Sequence, residues 1–159
     1  MNQLTQLQAL KKIVQPRFAR VLIIEDDKDL AEILADQFAF EGANVEVAND
    51  PYEALNMMSE HHFDLVILDW QLPDLTGGET LKQADRNAML DPITVEQWTM
   101  KKTPVVILSA HKARECRTTK NATYQVVSYV SKRQSYENML KHLKDIYQTT
   151  ISHKFFKAV

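Results

Sequence analysis

The sequence predicts an α/β fold, a doubly wound parallel sheet of five strands with helices on both faces. Two observations predict it. Runs such as Val21-Leu22-Ile23-Ile24, Leu65-Val66-Ile67-Leu68 and Val105-Val106-Ile107-Leu108 are too short for helices and read as strands buried on both sides. Segments with apolar residues at helical spacing separate them, so strand and helix alternate five times. Parallel strands need such crossovers, which are right-handed. At 159 residues the chain is one domain with a short extension.

Each element has its own signal. Residues 3–14 place Leu4, Leu7, Leu10, Ile13 and Val14 near helical spacing, and Pro16 ends the pattern, giving an N-terminal amphipathic helix. After the first strand, Leu30, Ile33, Leu34 and Phe38 form a helix face, with Asp27 as N-cap and Gly42 at C′. Val45–Ala48 is the second strand. Asp50-Pro51-Tyr52-Glu53 reads as a capping box with proline at the first helical position, opening a helix to about Glu60. Leu65–Leu68 is the third strand, and Gly77-Gly78 precedes a helix over Glu79–Met89. Thr94–Gln97 can open another short helix. Val105–Leu108 is the fourth strand, residues 111–121 a polar, weak helix, and Tyr124–Ser131 the fifth strand. Ser135 caps a last helix holding Met139, Leu140, Leu143 and Ile146.

Composition narrows the function. Hydrophobic residues are 45% and charged residues 25%, as in ordinary globular domains. No apolar run is long enough to cross a membrane or form a signal peptide, and the single cysteine, Cys116, has no internal partner. A cytoplasmic protein without membrane contact is expected. The net charge of −2 hides a split: residues 1–20 carry four bases and no acid, residues 21–80 fifteen acids and one base, and residues 81–159 fourteen bases and six acids. No Walker, dinucleotide-binding, HExxH or paired CxxC pattern occurs.

In open parallel sheets the ligand site lies at the carboxyl ends of the strands. Glu25, Asp26 and Asp27 follow the first strand, Asp69 the third, Ser109 the fourth and Lys132 the fifth. One polar residue there is usually a turn residue; agreement across four strands marks a crevice. Clustered carboxylates repel unless a cation sits among them, and Mg²⁺ suits oxygen donors of this kind. A carboxylate can also attack phosphorus, with the metal and a lysine offsetting the charge. Asp27 reads as the N-cap of the following helix.

These residues resemble those of the receiver domains of two-component response regulators, over about residues 20–148. The likeness is carried by Val21-Leu22-Ile23-Ile24-Glu25-Asp26-Asp27, Leu65–Pro73 with Gly77, Val105–Ala110, and Tyr129-Val130-Ser131-Lys132. The resemblance implies a flavodoxin-like strand order, 2-1-3-4-5. It implies that Asp69 accepts a phosphoryl group from a phosphohistidine of a sensor histidine kinase or phosphotransfer protein. Mg²⁺ would be bound by Asp26, Asp69 and the backbone carbonyl of Gln71, with Glu25 acting through water. Ser109 would turn to the phosphate, Tyr129 would change rotamer, and Lys132 would pair with the phosphoryl oxygens. Gln71 and His111 would flank the phosphoryl group and tune autodephosphorylation. Such a domain is a phosphoacceptor that assists its own transfer, not an enzyme for an external substrate.

The expected organisation is an N-terminal helical extension (1–19), a receiver domain (20–148) and a C-terminal tail (149–159), a stand-alone receiver. Residues 111–148 carry Lys112, Arg114, Arg117, Lys120, Lys141 and Lys144, which suits an acidic downstream partner or a second copy. The N-terminal helix could pack on its own domain or form a homodimer. No helix-turn-helix pattern appears, so direct nucleic-acid binding is not expected. Three departures from the family stand out. Arg133 replaces the usual proline, which favours a trans bond. The stretch from Gly78 to Lys102 is longer than usual and contains Trp98. Asn121-Ala122-Thr123 precedes the fifth strand, where Asn121 could supply a left-handed residue. The alternative that Arg133 and the longer stretch motivate is a pseudo-receiver, a constitutive protein-binding module without the switch.

Overall fold

The computed structural model describes residues 18–90, 102–118 and 120–155. Five strands form one parallel sheet in the order β2-β1-β3-β4-β5, as expected. They are β1 (Arg20–Ile24), β2 (Asn44–Ala48), β3 (Leu65–Asp69), β4 (Thr103–Ser109) and β5 (Tyr124–Ser131). The helices are α1 (Lys28–Phe40), α2 (Pro51–Glu60), α3 (Gly77–Leu90) and α4 (Tyr136–Phe155). The strand runs are buried on both faces because helices cover both. Val21, Ile23, Leu65, Ile67, Val106 and Leu108 pack with Leu34 and Phe38 of α1 and Met139 and Leu143 of α4. Leu22, Ile24, Val66, Leu68, Val105 and Ile107 pack with Ala54 and Met58 of α2 and Leu81 and Ala84 of α3.

The helix ends follow the local chemistry of the sequence. The Asp27 carboxylate accepts from the backbone N–H of Asp29 and Leu30 at 3.1 Å each, capping α1. Asp50 does the same for Tyr52 and Glu53, and the Glu53 carboxylate accepts back from Asn49 N, with Pro51 in the first turn. Gly42, at φ 87°, ends α1 in the left-handed region. Ser135 Oγ accepts from Asn138 N, 3.3 Å, at the start of α4.

Several expectations change. The described residues within 111–121 form no α-helix. Among the described residues only a 3₁₀ turn, Ala113–Glu115, lies between β4 and β5. The segment is polar and has no apolar stripe long enough to hold a helix on the sheet. Its far end is fixed instead by Asp85 of α3, which accepts from Thr123 N (2.7 Å), Thr123 Oγ1 (2.6 Å) and Ala122 N (3.1 Å). Asn121 is not left-handed. It is buried, its carbonyl accepts from Lys102 Nζ at 2.7 Å, and the one non-glycine residue with positive φ among those described is Asp74, at 67°. α4 runs past residue 148 to Phe155, so no structural break separates a tail there. The helix expected over residues 3–14, the one expected at Thr94–Gln97, and Trp98 lie outside the described residues. No peptide bond among the described residues is cis, which agrees with the trans Lys132–Arg133 bond expected without proline. Arg133 N donates to Ser131 Oγ at 3.1 Å, a bond a proline could not make.

Candidate functional site

Strand register brings the chemistry together. Ile24 pairs with Leu68, Asp69 with Leu108, and Ser109 with Ser131. Glu25, Asp69, Ser109 and Lys132 therefore end adjacent strands at one level of the sheet. Backbone bonds hold these ends: Glu25 N donates to Ala48 O (3.0 Å), Trp70 N to Leu108 O (2.9 Å) and Lys132 N to Ser109 O (2.8 Å).

Lys132 sits at the centre. Its Nζ lies 2.7 Å from Glu25 Oε2 and 2.9 Å from Asp69 Oδ2. Both carboxylates are deeply buried, Glu25 at 0% exposure and Asp69 at 3%. Burial costs a charged carboxylate its hydration, and the ammonium offsets part of that cost. For Glu25 burial prevails over the Lys132 hydrogen bond, and its pKa is pushed up to about 7, with the Asp69 charge adding to the rise. Burial also raises the Asp69 carboxyl, against Lys132 and the Gln71 N–H. Desolvation pulls the Lys132 ammonium down, but its hydrogen bonds to Glu25 and Asp69 prevail and its pKa is raised.

The remaining contacts orient these groups. Gln71 N donates to Asp69 Oδ1 (3.0 Å), and Asp27 N to Glu25 Oε1 (3.3 Å). Ser109 Oγ accepts from His111 N (2.9 Å), and His111 Nδ1 lies 3.2 Å from Glu115 Oε2. Tyr129 stands apart from the acids; it is exposed, and its hydroxyl donates to Cys116 O at 3.3 Å. A cavity of about 330 Å³ lies beside it, lined by Ser109, His111, Cys116 and Tyr129 among others.

Glu25, Asp26 and Asp69 offer carboxylate oxygens that all lie within 4.8 Å of one another. Asp26 is exposed while the other two are buried, so an ion bound there reaches solvent on one side. An all-oxygen, carboxylate-rich site with an open side fits Mg²⁺, which keeps several waters. Receiver domains typically bind Mg²⁺ at an acidic site of this kind.

Two further residues hold the site, and of these Asn49 is absent from the sequence expectations. Asn49 Nδ2 donates to Glu25 O at 3.0 Å. The carboxyl-end rule, applied to β2 as it was to the other strands, would have pointed to it. Gly77 lets α3 start against β3, because a Cβ there would stand 2.8 Å from Asp69 O and 3.1 Å from Trp70 Cα.

A family model for the response regulator receiver domain matches residues 21–144. Over 65 residues the chain is 42% identical to a protein named transcriptional regulatory protein CpxR homolog, from Haemophilus influenzae, covering 41% of this chain and 28% of that protein. It is 38% identical over 64 residues to response regulator MprA of Mycobacterium avium, covering 40% of this chain and 28% of that protein. The chain thus spans under a third of the length of these curated relatives. Among solved structures, chemotaxis response regulator CheY4 of Vibrio cholerae aligns with a TM-score of 0.60 and 25% identity over 81% of this chain and 98% of that one. The receiver domain of Francisella response regulator 1452 aligns at 0.58 and 26% over 83% and 98%. With the acid cluster, the buried Asp69 and its lysine in place, the chain belongs to the response regulator receiver domain family, the phosphorylation-based signalling domain of two-component systems.

Proposed function

We propose that the chain is a phosphorylation-controlled switch with Asp69 as phosphoacceptor. The observation that carries this reading is the Lys132 ammonium 2.9 Å from the buried Asp69 carboxylate, poised where phosphoryl charge would arrive. An Asp69 oxygen attacks phosphorus, the N–P bond of a phosphohistidine on a sensor kinase or phosphotransfer protein breaks, and its electron pair returns to the imidazole. Asp26, Asp69 and the Gln71 carbonyl, with Glu25 through water, would hold Mg²⁺, which would supply positive charge to offset that developing on the phosphoryl group. The Gln71 N–H fixes the Asp69 carboxylate through Oδ1. Ser109 Oγ accepts from His111 N and keeps its own proton for a phosphoryl oxygen. Turning toward it loosens residues 110–118, and Tyr129 leaves Cys116 O for the adjoining cavity. Gln71 and His111 set the lifetime of the acyl phosphate. The altered face over residues 111–148 then meets its downstream partner, and the domain works in the cytoplasm.

The reduction of the β4–β5 connection to one 3₁₀ turn favours a second reading, a constitutive binding module. One experiment separates them. The protein is incubated with phosphoramidate and Mg²⁺ and its intact mass is measured. The switch predicts a gain of one phosphoryl group in wild type, none in Asp69→Asn, and a change in Trp70 emission. Wild type that gains no phosphoryl group, or an Asp69→Asn variant that keeps it, refutes the assignment. Unchanged signalling output in Asp69→Asn supports the fixed module.

A further inference from the structure

The solvent side of α1 carries an unpartnered stripe. Asp29, Ile33, Asp36 and Phe40 share one face, opposite the buried Leu30, Leu34 and Phe38. Ile33 is 42% exposed and Phe40 87% exposed, with Asp29, Glu32 and Asp36 exposed around them. The chain enters the fold at the end of this stripe. Asn44 N donates to Ala19 O at 2.8 Å and Ala43 N to Phe38 O at 3.0 Å, so Ala19 lies beside the turn that follows α1. Phe18, just before it, is 62% exposed. Residues 1–17 therefore join the domain at the Phe40 end of α1.

The sequence of that segment complements the stripe. Leu7, Leu10 and Val14 fall on one side of a helix, with Lys11 beside them, and residues 1–20 contain four bases and no acid. We propose that residues 3–14 dock as an amphipathic helix along the exposed face of α1 in the same chain. Leu7, Leu10 and Val14 cover Ile33 and Phe40, and Lys11 meets the acids of α1.

Reach decides between the same chain and a second copy. A helix over residues 3–14 is ~18 Å long, against ~20 Å for α1. Residues 15–17 span up to ~10 Å, which matches the ~8–10 Å between the axes of packed helices. Pro16 ends the helix where the chain must reverse. A twelve-residue helix is marginal alone in water, so docking is what would hold it. This inference is independent of phosphotransfer at Asp69, and its test uses no phosphodonor.

The test is limited trypsin digestion of the full chain, read as the cleavage rate after Lys11 and Lys12. When opening is fast relative to cleavage, that rate reports the undocked fraction. The double variant Ile33→Ser/Phe40→Ser alters only exposed positions of α1, and Leu10→Ser alters the segment itself. Each should speed cleavage about tenfold, with a single cooperative urea transition retained. Read after Lys12, the site both variants keep, the exchange Lys11→Glu/Asp36→Lys should be cleaved more slowly than Lys11→Glu alone. Wild-type cleavage as fast as in the variants overturns the proposal. Protection that falls on dilution, together with a dimer mass by light scattering, overturns it in favour of a second copy.

Discussion

Replacing Lys132 with methionine keeps most of the side-chain volume and removes the charge between two buried carboxylates. At an effective dielectric constant near 20, unit charges at the observed separations attract by about 6 kcal/mol per pair before desolvation. Desolvation cancels much of that, and breaking a buried pair typically costs about 3–5 kcal/mol because the partner is left uncompensated. That is the loss expected near pH 8. The pH dependence has a definite sign. The Glu25 carboxyl is held at about 7, above its ordinary 4.5, so the folded state binds its proton more tightly than the unfolded state. Deprotonation therefore lowers stability progressively as pH rises from about 4.5 to about 7, and the full penalty is present above that range. Over the whole shift the linkage amounts to about 3 kcal/mol. Without Lys132 the Glu25 pKa rises further, and near pH 5.5 the carboxyl is protonated in both proteins. The cost of Lys132→Met should then shrink to about half its value near pH 8. Urea denaturation of both proteins at the two pH values, without divalent metal, measures it. An equal cost at both pH values, or a cost under about 1 kcal/mol near pH 8, would refute the reasoning.

Three further outcomes follow from the geometry. Gly77→Ala should destabilise by more than about 2 kcal/mol, since its Cβ meets backbone at Asp69 O, whereas Gly78→Ala meets the Trp70 ring at 2.8 Å and should mainly shift Trp70 emission. Thermal denaturation and fluorescence of the two variants check this, and the reverse ranking would contradict it. Asp85→Ala strips the acceptor from two backbone N–H groups and one hydroxyl and should cost about 2 kcal/mol, with faster amide exchange at Ala122 and Thr123. Cys116, buried in the core among Tyr124 and Leu81, should react with a thiol reagent only as fast as the protein opens, despite Arg114 and Arg117 beside it in sequence. Prompt labelling in the native state would show that the connection over it is open.

The strands and caps were legible because their causes are local. A four-residue aliphatic run such as Leu65–Leu68 has few alternatives to a buried strand, and Asp27, Gly42 and Asp50 act within a few residues of where they stand. The acid cluster was legible through the carboxyl-end rule, which needs only the order of the strands. The β4–β5 connection was not. Its fate depends on Asp85, far back in the chain on α3, whose carboxylate captures Thr123. No periodicity announces such a bond. Asn121 misled for a similar reason: its carbonyl is held by Lys102, the residue just before β4, rather than by its own turn preference. Lys132 was assigned to a phosphoryl group, and the fold also gives it Glu25, because among the described residues it is the cation paired with both buried acids.

The contact of Gly77 with the backbone of Asp69 has a mechanical consequence. With no side chain between them, the first turn of α3 is seated directly on the end of β3, and Gly77 N is tied to Trp70 O at 2.9 Å. That wall of the crevice is stiff. The opposite wall, residues 110–118, has one 3₁₀ turn and a few hydrogen bonds. A load applied at Asp69 is shared between the two walls according to their compliance, so nearly all of the displacement falls on the soft one. The direction in which this domain can respond is set by where it refuses to yield.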